Sequence, residues 1–419
     1  MGARLFLSIA FCIHFSVFAQ KIDVNFAKNG VLVFKELGMF SSNIIDFDVL
    51  DEHKINVLFE SDVNRYLVRF NENGTRNVVF DTSHNTITHE LINPIAMSSA
   101  IDGGVLVLSD VWKENNWVLT IRKYQDNGYL DQSFGVEGLY ENNILDNQDN
   151  NFGQHMYMSS KGEIIIVARV SQFHMVKETE KIAIIKVSES GITTSTKLYD
   201  DHHFNLNCST MRNDQLLVAY SESMDNGAER ATYIVGLDSN NMDSNPVDCL
   251  NIDSEYQFFN KLVIANGHIY ASNIKSDLYN LYNIRKYDME GNLDEAFKNL
   301  GEIDFNADIY NTDFVVNDIG ELFIVSTSLD NEQGIIVTKL TNRGEIDRSF
   351  GDNGVTTVFL KYPITGLHQL KLDAKQDLYI SGTMDILSGS FGFITKINLN
   401  SQVLKRKQLD KFIGELFKN

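Results

Sequence analysis

The stretch Gly344-Glu345-Ile346-Asp347-Arg348-Ser349-Phe350-Gly351-Asp352-Asn353-Gly354 separates two apolar runs, Ile335 to Leu340 and Val355 to Leu360. It recurs as Gly128-Tyr129-Leu130-Asp131-Gln132-Ser133-Phe134-Gly135-Val136-Glu137-Gly138, and more loosely from Gly291 through Asp294 and Phe297 to Gly301. A shortened copy near the N-terminus keeps Asp23, Phe26 and Gly30. In all four copies the same steps separate the Asp, the Phe and the closing Gly. A polar, glycine-bearing turn between two β-rich runs is a hairpin signal, and its recurrence marks a repeat architecture.

Two further features keep the same period. A polar turn leads into a short apolar strand whose first residues are Ile55, Val105, Ile164, Leu216, Ile269, Leu322 and Leu378, spaced by about 50 to 60 residues. Ten to twenty residues after each comes a strand that mostly ends in a basic residue and an apolar one, as in Tyr282-Asn283-Ile284-Arg285-Lys286-Tyr287. Both features count seven units. With an apolar segment before each polar turn, a unit holds four strands, a to d in chain order. Four-stranded units at this period describe the blades of a β-propeller, so the fold expected is all-β and seven-bladed. The N-terminal fragment supplies only a turn and a d strand, Val31-Leu32-Val33-Phe34, whereas the last unit has a, b and c strands through Ile397. The first segment should therefore complete the seventh blade and hide an open edge.

The Gly-x-Leu/Ile-Asp-x-Ser-Phe-Gly turn after a strand ending in a basic residue resembles the delta-60 repeat of secreted bacterial proteins. The resemblance spans residues 21–400. It is weaker around Gly74, Gly191 and Asn241, where the Asp and Phe are read as lost (Gly74-Thr75-Arg76-Asn77 and Gly191-Ile192-Thr193-Thr194). It implies a propeller and export, and it carries over no catalytic residues.

The chain has 419 residues and a formal net charge of −20. That balance argues against a nucleic-acid partner, whose phosphates need Lys and Arg. Arg4 followed by the apolar Leu5 to Ala19 reads as a signal peptide over residues 1–19. The run is too short for a membrane span, and no other stretch could cross a bilayer. The expected location is secreted, periplasmic or cell-surface. The propeller would occupy 20–403. Leu409, Phe412, Ile413, Leu416 and Phe417 fall at helical spacing, so 404–419 reads as a C-terminal amphipathic helix. Export permits a Cys208–Cys249 disulfide, and two separate buried thiols fit the sequence equally.

The repeated Asp23, Asp131, Asp294 and Asp347 have two readings: calcium ligands, or acceptors of backbone N–H groups within their own turns. The second is favoured, because carboxylates in separate blades do not converge on one ion. The repeated Phe26, Phe134, Phe297 and Phe350 read as wedges between blades. Asp200, Asp201, His202 and His203 form the densest local cluster of metal-ligand types, and Ca²⁺ or another divalent ion is the cofactor they would take, against the bland reading of a solvated loop. Asp146 and Asp149 lie in a loop of the same d–a class, expected on one face with the b–c loops, Asp225 and Asp330. The a strands should line the channel, with His155, Tyr157, Asn207, Asn260, Asp313 and His368 as inward candidates. A nucleophile elbow, a zinc-protease helix and a phosphate loop are missing from the sequence. The leading expectation is a non-catalytic binding or scaffold module for protein or glycan partners. The alternative is a carboxylate-dependent hydrolase or lyase acting on polysaccharide.

Overall fold

The computed structural model describes residues 22–399 apart from 36–39, 51–53, 63, 82–90, 143–149, 175–176, 200–203, 224–229, 239–246, 253–258, 275–280, 307–310, 329–332 and 388. The expected signal peptide at 1–19 and helix at 404–419 lie outside the described residues, as do Asp146, Asp149, Asp200, Asp201, His202, His203, Asp225 and Asp330.

Each central strand is a continuous apolar run because both its faces are covered. Ile164, Ile165, Ile166 and Val167 are all fully buried. Ile164 and Ile166 pack with Leu106 and Leu108 of the preceding unit, and Ile165 and Val167 with Leu216 and Val218 of the following one. A sheet buried on both sides needs a neighbour on both sides, and similar units with no capping unit at either end meet that demand by closing into a ring. The chain forms seven antiparallel sheets, six with their strands in sequential order and the seventh completed by an N-terminal strand, a seven-bladed β-propeller. The a strands begin at Asn43, Pro94, Asn150, Phe204, Phe259, Thr312 and Ile364 for blades 1 to 7.

The N-terminal segment closes the ring as expected. Val31–Val33 pairs antiparallel with Gly389–Ile397, Val31 opposite Thr395 and Val33 opposite Phe393. Asp23 N–H donates to the Lys396 carbonyl at 2.9 Å, Phe34 N–H to Gly392 at 2.9 Å, and Thr395 Oγ1 to the Gly30 carbonyl at 2.8 Å. Blade 7 thus takes both its c–d turn and its outer strand from the far end of the chain.

Blade 1 departs from the expected pattern. Its sheet has three strands, Asn43–Val49, Ile55–Ser61 and Asn64–Phe70, and a helical turn, Val78–Asp81, follows the third. Here the sequence reading needs correction: the turn after Gly74 has not lost its Phe. Asn77 takes the place of the Asp, its Oδ1 accepting from Val79 and Phe80 N–H at 3.1 Å each, and Phe80 is buried where the other blades place their Phe. An amide oxygen caps the turn as a carboxylate does.

The turns also fasten blade to blade. Phe26, Phe134, Phe297 and Phe350 are at most 5% exposed, and each sits in a core shared with the next blade. The residue after the Phe donates its N–H to the residue before the next blade's turn glycine: Ala27 to Asn73 at 2.7 Å, Gly135 to Ser190 at 2.9 Å and Lys298 to Arg343 at 2.9 Å. The turn glycine has positive φ, and a Cβ on Gly74 would lie 2.7 Å from Ala27 N. Positive φ and close approach of the neighbouring backbone together demand glycine there.

Candidate functional site

The repeated Asp residues are tied into their own turns. Asp23, Asp131, Asp294 and Asp347 each accept the N–H two residues on, at 3.0 to 3.1 Å. The basic residue ending strand c reaches the same carboxylate: Lys286 to Asp294 at 2.7 Å, Lys339 to Asp347 at 2.9 Å, Lys123 to Asp131 at 3.4 Å and Lys396 to Asp23 at 4.0 Å. Lys286 holds the Asp294 carboxyl below its usual range. Arg69 fills the cation position in blade 1, only 1% exposed, and bonds Asp126 and the Gly103 carbonyl of blade 2. These charges are structural. Among the described residues, no three His, Cys, Asp or Glu side chains converge as a metal site would.

Three channel carboxylates among the described residues, Asp46, Asp48 and Asp313, are engaged as well. An a strand has no sheet partner on its inner edge, so its N–H groups need other acceptors. Asp46 of blade 1 accepts from Met97 N–H at 2.9 Å, and Asp48 from Ser99 Oγ at 2.5 Å and Ser99 N–H at 3.3 Å, both in blade 2. Lys371 of blade 7 faces the pair at 3.8 and 3.6 Å. Burial raises the Asp46 carboxyl against the pull of Lys371. Burial works to lower Lys371, yet Asp48 and Asp46 hold it above its ordinary value. The sequence candidate Asp313 is clamped by Lys261 at 2.7 Å.

The two histidine candidates stay neutral near pH 7. Burial drives His155 down to about 4 and lowers His368. His155 lies against Tyr157 with ring centroids 6.4 Å apart, and Tyr157 Oη shares a hydrogen bond with Ser209 Oγ at 2.8 Å. His368 Nε2 reaches Thr383 Oγ1 at 3.4 Å. Asn207 Oδ1 accepts from Ser221 at 3.4 Å, and Asn260 is exposed at the bulge of its strand. Cys208 is a buried free thiol, pushed up to about 12 by burial; the Cys249 side chain lies outside the described residues.

One constellation was not singled out from sequence. The b–c hairpin of blade 2 turns through Glu114 and Asn115, both with positive φ, and sets Trp112 opposite Trp117. The indoles meet edge to face at 5.5 Å, and Trp117 meets Phe152 of blade 3 at 6.0 Å. These are the only two tryptophans of the chain. Trp112 is 54% exposed, and Trp117 and Phe152 are half-buried. Arg169 lies over the Phe152 ring at 5.0 Å and is held by Glu180 at 2.7 Å. The Trp117 backbone N–H donates to Asn150 Oδ1 at 3.1 Å, which ties the hairpin to the blade 3 inner strand. Beneath it, Asp110 is 3% exposed and accepts from Gly153 N–H at 2.9 Å. Burial raises this carboxyl to about 7, against the Gly153 bond and Arg169. Two tryptophans flanking a Glu-Asn turn were the available sequence signal.

No family model matches the chain, and no curated protein matches it in sequence. Solved structures do match. Polysaccharide lyase Uly1 superposes with a TM-score of 0.50 at 11% identity, covering 85% of this chain and 90% of that one. Prolyl oligopeptidase B from Galerina marginata gives 0.50 at 9% identity, with 86% of this chain and 52% of that one covered. The β-propeller domain of the Trilobed protease from Pyrococcus furiosus gives 0.49 at 9% identity over 88% and 99%. Likeness at this identity shows a propeller fold and nothing finer. No helix among the described residues is long and apolar enough to cross a membrane.

Proposed function

We propose that this protein is an exported β-propeller, of the delta-60 repeat type, that acts as a non-catalytic binding or scaffold module for protein or glycan partners. The observation that carries this reading is the engagement of the channel carboxylates among the described residues. A glycosidase needs two carboxyl groups free to act on one bond. Asp46 and Asp48 instead accept inner-strand N–H and hydroxyl groups of blade 2, and Asp313 is neutralised by Lys261. A raised carboxyl, Asp110, is 3% exposed in the blade 2–3 seam, and its bonded oxygen serves the backbone of Gly153. The fold supplies a rigid support for variable loops, the arrangement on which binding residues are commonly displayed.

Two measurements test the reading. Pulldown from the native cell envelope, paired with a glycan array, should recover a partner. Incubation with a panel of polysaccharides should release no new reducing ends or unsaturated uronates. Turnover that disappears in Asp46→Asn or Asp110→Asn would establish the hydrolase or lyase reading in its place. Export is tested separately, by the N-terminal sequence of the mature protein, expected to begin at Gln20.

A further inference from the structure

We propose that residues 404–419 dock as an amphipathic helix on the c–d turns of blades 7 and 1, over the exposed Val24, Val78 and Val79, and so strap the joint at which the ring closes. The inference goes beyond the binding-module reading and does not rest on it. Three observations carry it.

The first is a departure from the repeat. In blades 2, 5 and 6 the residue after the capping Asp is Gln132, Glu295 or Arg348, each polar and exposed. In blade 7 it is Val24, 62% exposed. In blade 1, where Asn77 is the cap, it is Val78, 73% exposed, with Val79 next to it at 58%. The Leu or Ile on the other side of the Asp has a structural duty, lying over the closing glycine of its own turn, as Leu293 does on Gly301 and Ile346 on Gly354. Val24 and Val78 take positions that the other turns give to polar groups, and their two turns are neighbours, joined by the Ala27 N–H to Asn73 bond. Apolar groups gathered on adjacent exposed turns mark a contact surface.

The second is the place where the chain leaves the ring. Ile22 bridges Ile397, and Asp23 N–H bonds the Lys396 carbonyl, so Val24 lies beside the end of the third strand of blade 7. Leu399 is still packed in the core, 8% exposed. In blade 6 the chain runs on from the equivalent point through its own turn into strand d. In blade 7 the turn and strand d come from the N-terminal segment, so the chain departs on the turn face. Five residues span at most about 17 Å, which sets the start of the segment, Leu404, within that reach of Leu399 on this face.

The third is the chemistry of the segment. Leu409, Phe412, Ile413, Leu416 and Phe417 form one apolar stripe about 12 Å long on a helix. A helix this short is marginal in water by itself, and Gly414 weakens it further, so it needs a surface on which to bury the stripe. Residues 404–419 hold five cations against Asp410 and Glu415, in a chain of net charge −20. Attraction to an acidic body holds such a segment close.

Hydrogen exchange followed by mass spectrometry on the purified full chain tests the proposal. Amides of 409–417 should exchange slower than those of a synthetic 404–419 peptide by about tenfold or more. Protection should fall to the peptide level in the double variant Val24→Glu/Val78→Glu. It should fall equally in Phe412→Glu, which leaves the ring untouched. In Phe412→Glu the amides of Val78–Phe80 should exchange faster than in wild type, while those of the central strand Ile164–Val167 stay unchanged, which separates undocking from unfolding. Exchange at the peptide rate in wild type, or protection that survives Val24→Glu/Val78→Glu, overturns the proposal. Protection lost on dilution would assign the segment to a second copy of the chain, and protection gained only with phosphatidylethanolamine–phosphatidylglycerol vesicles would assign it to a membrane surface; either result overturns it too.

Discussion

Phe350 is 5% exposed and packs edge to face on Phe323 at 6.0 Å, in a core that joins blades 6 and 7. Phe350→Ala removes a ring that two blades share, and should cost about 3–5 kcal/mol in urea unfolding. Asp110 makes a different prediction, in pH. Its folded-state pKa of about 7 lies above the ordinary carboxyl value, so the folded protein keeps a proton that the unfolded chain releases near pH 4. The associated stability is complete below pH 4, is lost as pH rises through 7, and is flat above. Asp110→Asn should therefore stabilise the protein at pH 8 relative to wild type, by on the order of a few kcal/mol, and the difference should vanish near pH 4. Denaturation midpoints of both proteins at the two pH values decide it. The repeated Asp, Phe and Gly letters were legible because each recurs at fixed steps. Phe80 was missed because Asn77 replaces the Asp; the hydrogen-bond acceptor persists while the letter changes. Asp110 was not legible at all, since its burial depends on Gly153, contributed by another blade.

Turns and closing strands carry the next level. Gly74 and Gly267 both have positive φ, but a Cβ on Gly74 would meet Ala27 of blade 7 while one on Gly267 would meet nothing within 4 Å. Gly267→Ala should cost only the left-handed strain, about 1–2 kcal/mol. Gly74→Ala should cost clearly more, because blade 7 must also move; thermal melts of the pair check the order. The outer strand Val31–Val33 joins residues more than 350 positions apart in the chain. Starting the chain at residue 36 rather than 20 exposes the outer edge of Gly389–Ile397 and removes the Phe26 wedge. Such a protein should melt at a lower temperature and over a broader range by circular dichroism. An unchanged melt would show that the segment does not fasten the ring. That closure was legible, because a unit missing its d strand at one end and a lone d strand at the other have one complementary solution. The helical turn Val78–Asp81 after blade 1 was not, since Val-Val-Phe carries a strand-like composition that the Asn77 cap overrides.

For the whole molecule, seven sheets buried on both faces need each other, so a closed ring should scatter as one compact body. Small-angle X-ray scattering should give a radius of gyration of about 21 Å, and the chain starting at residue 36 should exceed it. The sequence by itself determined the repeat, the number of blades and the way the ring is fastened, because those follow from local periodicity and from the incomplete units at the two ends. Tertiary structure decided what the polar residues do. It set Asp46 and Asp48 against the free N–H groups of the neighbouring inner strand, turned the basic residues ending the c strands into buried partners of turn carboxylates, and lined Trp112 and Trp117 up with Phe152. These contacts run between blades, and the geometry that brings one blade's side chains to the next blade's backbone exists only once the ring has closed.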